Sequence, residues 1–283
     1  MEKIALFLMM QWLVTALAYA ECTYAFNAHP TQLAIYSLLQ EGNTTRIKPL
    51  PMSITQQMAV TLPDMPQQYM LSSHAGMEKL IAVFNQPGKS NKPVNAKANE
   101  QRNDHRIMGK GIWALEYQID QFTPQLVTAD NYYKMGLRLY GSSAGSSRQN
   151  DMMIELNITN SAVTHNSGTF ININAVNLMT GQSEVKSYPL SLPVSANYRI
   201  GLYINSKEGK LGLILNGDDQ GYISHSLPKQ IKHLVLAPFV VTDLDPTNPV
   251  VGFPIAATVL TDRKQLSLRY PPSTQDICGQ AMN

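Results

Sequence analysis

Beyond residue 105 the chain alternates apolar and polar positions again and again. In Ile112–Ile119 the residues Trp113, Leu115, Tyr117 and Ile119 fall on one face. Tyr133–Tyr140, Met152–Ile158 and Phe170–Val176 alternate in the same way. A period of two, carried by β-branched and aromatic residues, is the signature of half-buried strands. Turn clusters at 141–150, 160–168 and Thr180-Gly181-Gln182 separate these runs. The clearest unit is Tyr198–Ile223: Tyr198, Ile200, Leu202 and Ile204 alternate, 206–209 turns, and Leu211, Leu213 and Leu215 alternate back to Asn216-Gly217. Asn-Gly tolerates positive φ and starts tight turns, so this is a hairpin. Leu234–Val241, Ala256–Leu260 and Leu266–Tyr270 predict further strands.

The N-terminal quarter patterns less cleanly. Tyr24–Phe26 reads as a first strand beside the C-terminal one, Thr31–Leu39 as a short helix, and the apolar run Leu80–Phe84 as a buried strand. Residues 85–106 are rich in Pro, Gly, Asn and basic side chains, which predicts a long mobile loop. Many short antiparallel strands with no internal repeat predict an all-β fold. The expected form is a two-sheet antiparallel β-sandwich of jelly-roll type, one domain over residues 21–283.

The segment Ile112–Ile223 resembles the concanavalin A-like lectin/glucanase and laminin-G-like superfamily. Ile112-Trp113-Ala114-Leu115-Glu116-Tyr117 is similar to that group's early strand. Tyr198-Arg199-Ile200-Gly201-Leu202-Tyr203, running through Gly209-Lys210-Leu211 to Leu215-Asn216-Gly217, is similar to its late hairpin. The chain also looks like a secreted family of Gram-negative bacteria, a resemblance that carries no function. The superfamily resemblance implies a concanavalin A-like sandwich and a glycan-related role.

Composition bounds the destination more than the activity. Hydrophobic residues make up 44% of the 283, enough for a sizeable core. Lys+Arg 22 against Asp+Glu 20 gives a net charge of +2, too little to draw the protein to nucleic acid or an anionic surface. Met1-Glu2-Lys3, the apolar run Ile4–Ala18 and Ala18-Tyr19-Ala20 read as a signal peptide over residues 1–20, so the expected location is secreted or periplasmic. No later run is long and apolar enough to predict a membrane span in the mature chain. Cys22 and Cys278 lie near the two ends of the mature chain. In an oxidising compartment they are expected to form a disulfide, with free thiols or pairing to another molecule as the alternatives.

Candidate chemistry is sparse. In glucanases of the resembled superfamily a Glu-x-Asp-x-x-Glu strand aims carboxylates into one cleft. Here Gln118 holds the middle place between Glu116 and Asp120, and the two acids are expected on a solvated strand face. Glu155 and Glu184 are isolated in the sequence, no Gly-x-Ser-x-Gly elbow occurs, and the histidines lack metal-ligand spacing. No catalytic residue is assigned and no enzyme is expected. The one candidate cofactor is calcium, at the oxygen-rich run Asp243, Asp245 and Asn248, where ordinary turn chemistry explains the same residues. A sugar needs an aromatic face and planar polar groups beside it. The candidates are Tyr132 with its neighbour Asn131, and Trp113, whose alternative role is core. The expectation is a secreted, non-enzymatic binding or adhesion module with a glycan or cell-surface partner. A divergent polysaccharide hydrolase or lyase and a structural envelope protein are the alternatives.

Overall fold

The computed structural model describes residues 22–39, 46–84, 105–107, 111–143, 151–163, 167–194 and 197–282. In chain order the elements are α1 (Pro30–Leu39), β1 (Ile47–Pro49), β2 (Gln57–Thr61), β3 (Gln67–Met70), α2 (His74–Phe84) and β4 (His105–Arg106). Then come β5 (Ile112–Gln121), β6 (Tyr132–Ser142), β7 (Met152–Ser161), β8 (Gly168–Asn177), β9 (Gln182–Pro189) and β10 (Tyr198–Asn205). The last are β11 (Lys210–Leu215), β12 (Asp218–Ser224), β13 (His233–Asp243), β14 (Pro254–Leu260) and β15 (Gln275–Asp276).

Two sheets stack face to face. The first has the order β1-β3-β13-β6-β7-β8-β9, with β4 also on β13; the second runs β12-β11-β10-β5-β14-β2, with β15 also on β5. Pairing is antiparallel throughout except β1–β3 and β15–β5. The period-two pattern aims one side of every long strand into a single core. Tyr133, Met135, Leu137 and Leu139 of β6, and Ile154, Leu156 and Ile158 of β7, meet Trp113, Leu115, Tyr117 and Ile119 of β5 and Leu211 and Leu213 of β11. A strand with one buried face cannot slip by one residue without turning its core side chains to water, so this pattern also fixes the register. The expected hairpin is present: β10 turns through 206–209 into β11, with Asn205 paired to Lys210 and Ile200 to Leu215, and β11 turns again into β12 through Asn216 and Gly217, both at positive φ.

Neither sheet's outer face is left wholly open. The helices α1 and α2 pack together on the outer side of β13. A Cβ on Gly76 of α2 would come within 2.7 Å of Val235 Cγ1 and of Ser72 Oγ, so only glycine lets the helix lie this close. That is why Val235, which points away from the main core, is still buried, while Phe239 on the same side of β13 is covered by Arg138. On the second sheet the segment 265–282 crosses the outer side and closes a small second core of Ala114, Tyr203 and Ile214 against Ile112, Tyr222, Leu268, Tyr270 and Met282. Here Gly212 makes room for the ring of Tyr203, whose Cζ would lie 2.0 Å from a Cβ at that position.

Several sequence expectations need correcting. Leu80–Phe84 is the end of helix α2, because Met77, Leu80 and Ile81 recur at helical spacing and form its buried face. Tyr24–Phe26 is not a strand, and Leu266–Tyr270 is an irregular strap. The expected loop 85–106 ends in a bridge to the first sheet, since His105 and Arg106 pair with Leu234 and His233; residues 85–104 and the expected signal peptide lie outside the described residues. The disulfide is formed: Cys22 and Cys278 are joined, with Cα atoms 5.8 Å apart and a sequence separation of 256. It ties two irregular termini, not two adjacent strands. Cys22 is held further by its N–H on Asp262 Oδ2 (2.7 Å) and by the Thr261 hydroxyl donating to its carbonyl (2.6 Å). Among the described residues no helix is long and apolar enough to cross a membrane.

Candidate functional site

The open polar ground lies on the outer side of β6, β7, β8 and β9. Register brings together residues that are far apart in sequence. Lys134 stands opposite Thr159, Gly136 opposite Asn157, and Arg138 opposite Glu155. One strand further, Asn172 stands opposite Asn157 and Asn174 opposite Glu155; then Ser187 opposite Asn172. Alternation does the rest: the neighbours Ile154, Leu156, Ile158, Ile171 and Ile173 point inward, so these polar side chains must point out.

The side chains form one hydrogen-bonded lattice. Arg138 Nε donates to Glu155 Oε2 at 2.7 Å, and Lys134 Nζ lies 3.7 Å from Glu155 Oε1. Asn157 Nδ2 donates to Glu155 Oε1 (3.0 Å), while its Oδ1 accepts from Thr159 Oγ1 (2.7 Å) and Asn172 Nδ2 (3.2 Å). Ser187 and Ser183 donate to the carbonyls of Asn172 (2.7 Å) and Asn174 (2.9 Å). The guanidinium of Arg138 stacks 4.5 Å above the centroid of buried Phe239, which fixes its plane. Burial alone would raise the Glu155 carboxyl. The charges of Arg138 and Lys134 and the hydrogen bonds from Arg138 and Asn157 outweigh it, and its pKa lies below the ordinary 4.5. Glu155 is therefore an ionised carboxylate, unsuited to donate a proton near neutral pH. This lattice is not legible in the sequence, because no single strand contains it. The signal was the repeated polar-apolar alternation in β7 and β8, readable as a surface only once register is known.

The predicted site residues fall in three places. Tyr132 sits half-buried at one end of this same face, opposite Asp243. Its hydroxyl pKa is raised, first by burial and then by the Asp243 charge. Tyr133 points into the core with no exposed area, as alternation requires. Trp113 is only 1% exposed and lies between the sheets, so it offers no face to a sugar. Asn131 is buried and serves as a clasp: its Oδ1 accepts from the Asp245 N–H (2.9 Å) and from Asn248 Nδ2 (2.8 Å), and its Nδ2 donates to Asp245 Oδ2 (3.2 Å). Asn248 also donates to the Thr128 carbonyl at 3.0 Å. The structure thus joins Asn131 to the run Asp243–Asn248, two features that the sequence left separate. Both lone pairs of Asn131 Oδ1 are already engaged by protein N–H groups.

Glu116 corrects a further expectation. It has no exposed area, and its position on the outer side of β5 is covered by the C-terminal strap. Oε2 accepts from Arg199 at 2.6 Å, and Oε1 accepts from the N–H groups of Ser267 (2.7 Å) and Leu268 (2.8 Å) and from the Tyr270 hydroxyl (3.3 Å). It is an anchor, not a solvated acid. Asp120 lies at the rim, accepting from Gln118 (2.6 Å), Gln57 (3.0 Å) and Thr258 (2.5 Å). Among the described residues, the His, Cys and acidic side chains that cluster closely enough for a metal are Cys22, Asp276 and Cys278, and both sulfurs of that group are spent in the disulfide.

Two stacked, largely antiparallel sheets define a β-sandwich of jelly-roll form. The chain belongs to the family described as Domain of unknown function (DUF4882), whose model matches residues 21–280. No curated protein matches it. Among solved structures it is similar to a legume lectin-like domain from Entamoeba histolytica, with 9% identity and a TM-score of 0.40 over 74% of this chain and 84% of that one. It is also similar to the β-glucanase of Bacillus licheniformis, with 8% identity and a TM-score of 0.38 over 78% and 85%. A third is the marine PL7 alginate lyase from Zobellia galactanivorans, with 14% identity and a TM-score of 0.31, where the chain covers 53% of itself and only 60% of the lyase. Identities and scores this low carry no argument about substrate, and the description of the fold rests on the two sheets themselves.

Proposed function

We propose that the protein is a secreted, non-enzymatic binding module that holds an extended hydroxyl-rich chain, a glycan, along the outer face of β6–β9. The observation that carries this reading is the lattice of Lys134, Arg138, Glu155, Asn157, Thr159, Asn172 and Ser187. It presents donors and acceptors in fixed directions over three strand spacings of about 4.8 Å each, a span suited to sugar hydroxyls. Tyr132 supplies a ring at one end for an apolar sugar face.

Hydrolysis is disfavoured by the carboxylates on this face. Asp151 is four residues along β7 from Glu155, and Asp243 lies six register positions away. At roughly 3.4 Å per residue these are about 14 and 20 Å, beyond both the retaining and the inverting separations. Calcium at Asp243, Asp245 and Asn248 is a subsidiary proposal. It would brace the loop that the Asn131 clasp already holds, and a melt that does not change with chelator would remove it. The direct test of the main reading is a glycan array probed with the purified protein. Binding to extended neutral or acidic polysaccharides is expected, and a blank array with a folded sample would overturn the reading.

A further inference from the structure

Strand β9 ends the first sheet, and among the described residues it pairs only with β8. Natural sheet edges are normally covered, bent or guarded with charge, because a free row of N–H and C=O groups invites another strand. This edge is eight residues long, and Val185 at its centre is 66% exposed. The sequence around it reads Gln182-Ser183-Glu184-Val185-Lys186-Ser187-Tyr188. About Val185 it is self-complementary: serine mirrors serine, and glutamate mirrors lysine.

The hydrogen-bond parity of the strand agrees with that centre. Leu190 N–H donates to the Thr169 carbonyl on β8 at 2.8 Å. In an antiparallel ladder, residues that bond one neighbour alternate with residues whose N–H and C=O face the other way. Hence the even-numbered residues of β9 face β8, while Ser183, Val185 and Ser187 aim their backbone groups at the free edge. Pro189 has the same parity and brings no N–H, so it ends the available row.

We infer that β9 is a homodimerisation edge, on which a second copy of this chain pairs antiparallel about a two-fold axis at Val185. Val185 then faces its own copy, Ser183 faces Ser187 of the other chain, and Glu184 faces Lys186 of the other chain twice. The three outward residues of each copy give about six inter-chain backbone hydrogen bonds. The interface is isologous and closes, so it stops at a dimer. Lys186 would repel or misfit a strand in other registers, and in this one it meets its counter-charge; the edge guard thereby becomes the register key. The axis stands perpendicular to the sheet, so both copies turn their β6–β9 faces to the same side. If those faces bind a polymer, as proposed above, two linked sites act with avidity.

The test is sedimentation equilibrium of the purified protein across a wide concentration range, with thermal melts run in parallel. A dimer is expected. Val185→Pro removes an N–H that bonds nothing in β8, so it should leave the melt near wild type and give a monomer throughout. Lys186→Glu should weaken the dimer at least tenfold, and adding Glu184→Lys should restore it, because the two-fold register again pairs opposite charges. Glycan binding per chain to a short oligosaccharide should stay unchanged in Lys186→Glu, whose side chain alternates away from the outer face that carries Ser183, Val185 and Ser187, which separates failure of the dimer from failure of the binding face. A monomer at every concentration would overturn the inference. So would a dimer that persists in Val185→Pro, or a charge reversal that fails to restore association while both variants melt normally.

Discussion

Replacing Glu116 with Ala should unlatch the C-terminal strap from the second sheet. Glu116 is fully buried, whereas its partner Arg199 keeps a side chain 23% exposed. The substitution removes the acceptor for one guanidinium, two backbone N–H groups and one tyrosine hydroxyl. Breaking a buried charge pair from one side costs about 3–5 kcal/mol, and each orphaned buried donor about 1–3 kcal/mol more. Arg199 can turn towards water and the strap can lift, so the sum is not fully realised. We expect a loss of about 3–5 kcal/mol, which for a domain of this size lowers the melting temperature by about 2–4 °C per kcal/mol. Glu116→Gln keeps one acceptor oxygen and should cost about half as much. The assay is chemical denaturation with hydrogen exchange read at Ser267 and Leu268. Those two amides should lose protection before the rest of the chain. A loss below 1 kcal/mol with both amides still protected would refute the anchoring role. A fully stable Glu116→Gln variant that lost turnover of some polysaccharide would show that the carboxylate does chemistry instead.

Three further outcomes follow from the same geometry. Replacing Cys22 and Cys278 with Ser reopens a loop of 256 residues; the chain-entropy model puts the loss near 5 kcal/mol, and denaturant titration should show a lower midpoint with a still cooperative transition. Trp113→Ala, a truncation in the core, should cost about 3–5 kcal/mol, whereas Tyr132→Ala on the outer face should leave the melt almost unchanged and weaken glycan binding several-fold. Glu155 has a depressed pKa in the folded state, so it contributes stability above its ordinary 4.5 and loses it as pH falls below that value. Glu155→Gln should therefore flatten the acid limb of the stability profile below about pH 4.5, and equal acid limbs in both proteins would contradict the ion-pair account.

How far the sequence could be read depended on whether an element has one buried face. Strands β5 to β8, β10, β11, β13 and β14 alternate because one side meets the core, and all were legible. Strand β9 was missed because nearly every residue in it, from Gln182 to Pro189, is at least partly exposed, so no apolar face marks it. The end of α2 resembles a buried strand because its last turn, Leu80–Phe84, is a continuous apolar run, whereas the helical spacing starts further back, at Met77. Leu266–Tyr270 does alternate, and Leu268 and Tyr270 do face the second sheet. The backbone N–H groups of Ser267 and Leu268, however, go to the Glu116 carboxylate and not to a neighbouring strand. The candidate site was legible only at Tyr132. Its other members are polar residues spread over four strands, β6 to β9, and nothing local distinguishes Asn172 from any solvated strand position until β7 and β9 are placed beside it.

The most direct test of the binding face is a calorimetric titration with the best glycan from the array. Wild type would be compared with Asn172→Ala, and with Lys207→Ala in the turn after β10 as a control on the other sheet. Asn172 contributes hydrogen bonds to Asn157, Thr159 and Ser187, so its loss disorders the centre of the lattice. The account predicts binding about tenfold weaker in Asn172→Ala, equivalent to about 1.4 kcal/mol, with an unchanged control and an unchanged melt. Equal affinity in wild type and Asn172→Ala, or loss of affinity confined to Lys207→Ala, would contradict it.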